Sequence, residues 1–211
     1  MLIKNARLSF PSIFKPSAFE AGQTEKYSGT FILDPGHPQT TAIAEEMSRV
    51  AVEKWGDATG KLPNGLVEIL KQKPCVRKNE TKVNKSGDPM SGFEPGGVFF
   101  NASNSLKPTA IDQYGNEITE ASGKIYAGCR VNVVVDFWAQ DNKFGRRINA
   151  SLGGIQFHAD DEAFGGGRPA SVSEFELADA SEALAEATES VAPAVAAQQQ
   201  IEKKPVSDMF L

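Results

Sequence analysis

Ile125-Tyr126-Ala127-Gly128-Cys129-Arg130-Val131-Asn132-Val133-Val134-Val135-Asp136-Phe137-Trp138-Ala139 is the stretch that decides the architecture. Its odd positions, Ile125, Ala127, Cys129, Val131, Val133, Val135, Phe137 and Ala139, are apolar or small. Successive side chains on a strand point to opposite faces, so a period of two predicts one strand with a buried face and an open one. At ~3.3 Å per residue it would run about 50 Å if straight, longer than a small domain is wide. The strand is therefore expected to curl, with Gly128 as the point of curvature, as strands do when they pass between the sheets of a small closed barrel.

Working outward, the turn Asp141-Asn142-Lys143-Phe144-Gly145 leads into Arg146 to His158 and predicts a hairpin. Leu2 to Phe10, Thr24 to Asp34 and Val98 to Leu106 read as further strands, and Tyr27, Phe31 and Leu33 share a face. A helix is predicted after Pro38, with Thr40 or Thr41 near its N-cap, Ile43, Met47, Val50 and Ala51 at helical spacing, and Gly56 as its stop. Asn64 to Gln72 is a second short candidate. Residues 75 to 97 are rich in Lys, Gly, Asn and Pro and read as an exposed hairpin or flap. About five coiled strands with an inserted helix make a mainly β fold, closer to an OB-fold barrel than to a sandwich, which needs more strands.

The 211 residues suit one domain plus an appendage. From Gly165 onward the chain turns to Ala, Glu, Ser and Gln with few large apolar residues, which cannot bury enough surface to offset chain entropy. The expected division is a folded body over 1–165 and a disordered acidic tail over 166–211. The net charge of −5 separates along the same line: residues 1–159 carry 19 Lys and Arg against 16 Asp and Glu, and residues 160–211 carry 3 against 11. A body at +3 with a tail at −8 suggests a polyanion partner for the body and a separate role for the tail.

No apolar run approaches the ~18 residues of a membrane span, and the start lacks the features of a signal peptide, so a cytoplasmic protein is expected. Cys75 and Cys129 read as free thiols, and with only His37 and His158 beside them no metal-ligand spacing exists. Neither a metal nor a cofactor is expected. The chain carries no phosphate-cradling glycine loop with a lysine and no nucleophile elbow, which argues against an enzyme.

The alternation that buries the odd positions of the long strand puts Tyr126, Arg130 and Trp138 on its open face. Unpaired nucleic-acid strands are held by aromatic faces, on which bases stack, and by cations, which meet phosphates. The alternative places Trp138 beneath the flap or at a dimer contact and Tyr126 as a cap on the barrel. Phe99, Asn101, Ser103, Ser105 and Lys107 share the corresponding face of the strand at 98–107, where small polar side chains let a sugar-phosphate backbone approach. Lys71, Lys73, Arg77, Lys78, Lys82 and Lys85 form the densest cationic stretch, against the single acid Glu80, and Phe93 follows. This reads as a basic arm closing over a strand, or else as a solvated face. Phe144, Arg146 and Arg147 extend the track, unless the arginines pair with Asp136 or Asp141. The ending Asp208-Met209-Phe210-Leu211, an apolar tip with a free carboxylate on an acidic tether, suits capture in a partner's basic-rimmed pocket, and the same tail could compete for the basic groove.

Ile125 to Asn132, then Gly145-Arg146-Arg147-Ile148-Asn149-Ala150-Ser151-Leu152-Gly153-Gly154 with Ile155-Gln156-Phe157, resemble the signature of tailed-phage single-stranded DNA-binding proteins with an OB fold. The likeness extends to Asn5-Ala6-Arg7-Leu8-Ser9-Phe10 and Lys107-Pro108-Thr109 before Asp112, and covers most of residues 1–175. It implies sequence-independent binding of replication and recombination intermediates in the cytoplasm of an infected host, non-enzymatic action, and a tail that contacts replication or recombination proteins. The tip here holds only Asp208, unlike the densely acidic endings of bacterial single-strand binders. A strand-annealing protein or recombination mediator would use the same groove, a homodimer is among the assemblies permitted, and a structural phage protein or a nucleotide-processing enzyme is the alternative from another class.

Overall fold

The computed structural model describes residues 1–18, 20 and 22–165, so the tail and its tip at Asp208 to Leu211 lie outside the described residues. Seven strands and two helices run in the order β1 (Leu2–Ser17), β2 (Lys26–Leu33), α1 (Thr40–Trp55), α2 (Leu66–Gln72), β3 (Val76–Lys78), β4 (Val98–Asn104), β5 (Thr109–Ile111), β6 (Arg130–Asn142) and β7 (Gly145–Ala159). The sheet order is β3-β4-β2-β1-β6-β7-β5, and a parallel pairing of Ala102 with Ala150 joins β4 to β7. That contact closes β1, β2, β4, β6 and β7 into a five-stranded barrel, leaving β3 and β5 as flanking strands. The fold is the OB-type barrel expected.

The barrel fills with alternate side chains, including Ile3, Leu8, Phe31, Phe100, Val131, Val133, Val135 and Leu152. Phe31 and Phe100 stack with centroids 5.4 Å apart, and Phe137 meets Phe100 at 6.0 Å. Burial of large apolar side chains, worth roughly 1.5–3 kcal/mol each, is the main favourable contribution. Helix α1 covers one side of the barrel with Ile43, Val50, Ala51 and Trp55. Its N-cap is Gln39 rather than a threonine, and no side chain caps it. The Gln39 amide is engaged elsewhere, donating to the Leu2 carbonyl and accepting from the Lys4 N–H, which ties the helix start to β1.

The long strand is shorter at its start than its alternation predicts. Residues 126–129 form a turn, with the Cys129 N–H bonded to the Tyr126 carbonyl, and β6 begins at Arg130. Gly128 does not bend a continuous strand; at φ 113° it breaks it. The turn stays on β1 through the Gly128 N–H to the Leu8 carbonyl and the Leu8 N–H to the Cys129 carbonyl. No helix among the described residues is long and apolar enough to cross a membrane.

Candidate nucleic-acid interface

Two adjoining cavities run along one side of the barrel. The first, about 730 Å³, is bordered by Lys73, Arg77, Trp138 and Arg147, with Asn101, Ser103, Asn149 and Ser151 as small polar neighbours. The second, about 990 Å³, lies between Phe10, Lys82 and Phe144. Lys26, Asn101 and Ser103 line both, so the two form one groove with β4 as its floor. No Asp or Glu lines either cavity among the described residues, whereas five cations do. An acid-free cationic groove with a polar floor favours an anionic backbone.

Each residue reaches the groove for a local reason. Trp138 lies on β6 opposite Asn149 of β7 and is 44% exposed, because the even positions of β6 face outward here. Arg147 is held by its Nε–H donating to the Gln140 side-chain oxygen at 3.1 Å, a neutral partner that leaves the charge available. Arg77 enters from β3, which pairs with β4 so that Arg77 stands opposite Phe99. Thr30 and Asn101 are also cross-strand partners, and the Thr30 hydroxyl donates to the Asn101 side-chain oxygen at 2.9 Å, which leaves the side-chain NH₂ without a claim from this partner. Burial, and then the charge of Arg77, hold the Lys82 ammonium below the ordinary lysine range, so an arriving phosphate would stabilise its charged form.

Several expected site residues are not brought to this groove. Phe99 is buried at 1% exposure, because Phe93 of the flap meets its ring edge-on at 5.2 Å and Arg77 covers it. Phe93 is itself buried with Ile32. Neither ring presents a face to the groove, so Phe99 departs from the open face expected of its position, and Phe93, expected beside the basic arm as part of the DNA-binding set, is packed inside the flap. Tyr126 is likewise buried, its hydroxyl donating to an Asp160 oxygen at 2.9 Å. The start of β6 at Arg130 removes Tyr126 from the strand, so the alternation never reaches it. Arg130 is paired with Asp34 and with Asp161, the latter at 2.6 Å, and serves to hold residues 160–162 against the barrel.

Arg146 is paired with Asp141 at 3.2 Å, the alternative that the sequence left open. Lys71 pairs with Glu68 on α2 and faces an apolar cleft. Lys78, Lys85 and Lys107 are exposed but line neither cavity. Lys73, Arg77, Trp138 and Arg147 are thus assembled at one end, with Lys82 and Phe144 at the other. Lys26 and Phe10 also line the groove, and the sequence pattern does not single them out. Lys26 stands alone between Glu25 and Tyr27 without any cationic run, and Phe10 shares the parity of buried Leu8.

Both cysteines are free, and burial pushes each thiol up to about 11, which makes them poor nucleophiles.

The family model described as Enterobacter phage Enc34, ssDNA-binding protein, matches residues 1–185. Protein p50 of Acyrthosiphon pisum secondary endosymbiont phage 1 is 33% identical over 178 residues, covering 82% of this chain and 91% of that protein. Among solved structures, the single-stranded DNA-binding protein from bacteriophage Enc34 in complex with ssDNA matches with a TM-score of 0.61 at 29% identity, covering 78% of this chain and 88% of that one. A C-terminal truncation of the Enc34 protein matches with a TM-score of 0.58 at 26% identity, over 77% and 87% of the two chains. With a five-stranded barrel, a cationic groove and these matches in agreement, the chain belongs to the phage single-stranded DNA-binding protein family of the Enterobacter phage Enc34 protein.

Proposed function

We propose that this chain binds single-stranded DNA without sequence preference, laying the sugar-phosphate backbone along the Asn101 and Ser103 floor between Lys26, Lys73, Arg77 and Arg147, with a base stacked on Trp138. The observation that carries this reading is the groove itself: cations and an exposed indole around small polar side chains, with no acid among the described lining residues. Stacking and charge are tolerant of sequence, because every base has a π-face and every nucleotide a phosphate. The Enc34 relative in complex with ssDNA supports the choice of ligand. Lys71, Lys78, Lys85 and Lys107 add to the field that draws a polyanion in, without touching it.

In this reading residues 1–165 are the DNA-binding body, which shields replication and recombination intermediates in the cytoplasm of an infected host and performs no catalysis. Residues 166–211 are a tether, whose Asp208-Met209-Phe210-Leu211 end recruits a replication or recombination protein. The composition of the tail, acidic and poor in large apolar residues until that tip, supports the tether role.

The test is a fluorescence-anisotropy titration of labelled oligo-dT against a duplex of equal length over a salt series. Preference for the single strand, with affinity falling steeply as salt rises, is expected. Equal affinity for both, or none for either, would overturn the reading.

A further inference from the structure

We propose that Phe10 and Phe144 form a second base-stacking subsite, a clamp for an unpaired base that lies along the groove from Trp138, with Lys82 as the cation for the adjoining phosphate. The inference deepens the single-stranded DNA reading and rests on it.

The pairing of β1 with β2 slips between Ser9 and Ser12, and Phe10 lies in the slip with a φ of 49°. A bulky residue in the left-handed region costs about 1–3 kcal/mol, a strain that persists only where the surroundings impose it and that collects at functional sites. The bulge changes which way the side chain points. Leu8, two residues earlier, is fully buried, and regular alternation would bury Phe10 beside it. Instead the ring is 51% exposed and lines the second cavity.

A second exposed ring lines the same cavity. Phe144 sits in the tight turn between β6 and β7, which pairs Asn142 with Gly145, and is 71% exposed. Its backbone N–H donates to the Asn142 side chain at 2.9 Å, which fixes the turn. Each ring has its own ammonium: Lys82 Nζ is 5.0 Å from the Phe10 centroid and Lys143 Nζ 5.1 Å from that of Phe144. A ring with a cation beside it can stack on a base while the cation moves to the flanking phosphate. A Phe10 that served only as an apolar rest for the Lys82 stem would not account for a second exposed aromatic lining the same space.

The test measures binding of oligo-dT of graded length by the full chain and by Phe10→Ala, Phe10→Leu, Phe10→Trp, Phe144→Ala and the Phe10→Ala/Phe144→Ala double variant. Phe10→Ala and Phe144→Ala are each expected to weaken binding of long oligonucleotides about 5- to 150-fold. Phe10→Trp should restore affinity where Phe10→Leu does not. The double variant should lose less than the two single losses combined, because the rings act on one base. Phe144 lies in an exposed turn, so its variant reads the clamp even if changes at Phe10 disturb folding. Full affinity in Phe144→Ala, or equal rescue by leucine and tryptophan at position 10, overturns the clamp while wild-type binding stands. Absence of oligo-dT binding by the wild type overturns the function reading and the clamp with it.

Discussion

The guanidinium carbon of Arg77 lies 4.6 Å from the centroid of the Phe99 ring, and its Nε is buried with no hydrogen-bond partner among the described residues. No carboxylate pairs with this arginine there; a ring holds it. A cation positioned by stacking keeps its charge available, and Arg77 also borders the groove. Phe99, expected on the open face of its strand, is instead the ring on which this arginine rests.

Replacing Arg77 by alanine is expected to weaken binding to oligo-dT and to lower the slope of log affinity against log salt by about 0.7, one phosphate contact on a single strand. Arg77→Lys should recover that slope but only part of the affinity, because an ammonium does not stack as a planar guanidinium does. Anisotropy titrations at four or more salt concentrations check this, and an unchanged slope in Arg77→Ala would take Arg77 off the phosphate path.

Trp138→Ala is expected to weaken binding by about 1–3 kcal/mol, the loss of one stacked base. The side chain is half exposed and its removal leaves no cavity in the barrel, so the melting temperature should scarcely move. Trp55, whose indole N–H donates to Asp141 at 2.9 Å, is the internal control for tryptophan emission. Quenching on DNA binding should therefore vanish in Trp138→Ala; if it persists, Trp138 is not where the base sits.

Asp161 gathers the end of the barrel: it accepts from Arg130 at 2.6 Å and lies 3.4 Å from Arg7. Burial raises its pKa, but the hydrogen bonds from Arg130 and the Glu162 N–H, with the charges of Arg7 and Arg130, outweigh burial and leave it below the ordinary aspartate range. A carboxylate with a lowered pKa in the folded state adds stability that is fully present above its unfolded value, about 3.9, and is lost as pH falls through the folded value. Denaturant melts from pH 7 to pH 2 should show this loss in the wild type and a smaller one in Asp161→Asn. That variant should itself be less stable at pH 7 by about 1–3 kcal/mol. A parallel pH profile for both proteins would show that Asp161 does not carry the acid sensitivity.

Much of this arrangement was legible in the sequence because alternation reports burial directly. Val131, Val133, Val135 and Phe137 alternate in sequence and are buried in the barrel, and Trp138 projects as alternation requires. Alternation fails wherever a residue's surroundings come from distant chain. Tyr126 keeps the parity of Trp138, yet Asp160 and Asp161 cover it from more than thirty positions away. Phe99 keeps the parity of Asn101, yet the flap residue Phe93 closes over it. Phe10 shows the converse, since a bulge invisible to a period of two turns out a ring that the pattern assigns to the core.

Gly128 joins the strand break to the strap that follows β7. At φ 113° it has a backbone that other residues adopt only under strain, and a Cβ there would overlap the Glu162 carbonyl oxygen and lie 2.8 Å from the Ala163 Cα. Both neighbours are backbone, so no side-chain rotation relieves the contact. Gly115 supplies the contrast, with a φ of 90° but nothing within 4 Å of the position its Cβ would take. Gly115→Ala should cost only the backbone strain, about 1–3 kcal/mol at most. Gly128→Ala should cost that strain and also displace residues 162–163, loosening the Phe164 N–H bond to the Ala127 carbonyl and the Arg7 contact with the Phe164 ring. Denaturant midpoints are expected to fall further for Gly128→Ala than for Gly115→Ala, with faster proteolysis between 160 and 165 in the former alone. Equal midpoints and equal cleavage would mean that the strap is not held against Gly128, and that its glycine serves the turn only.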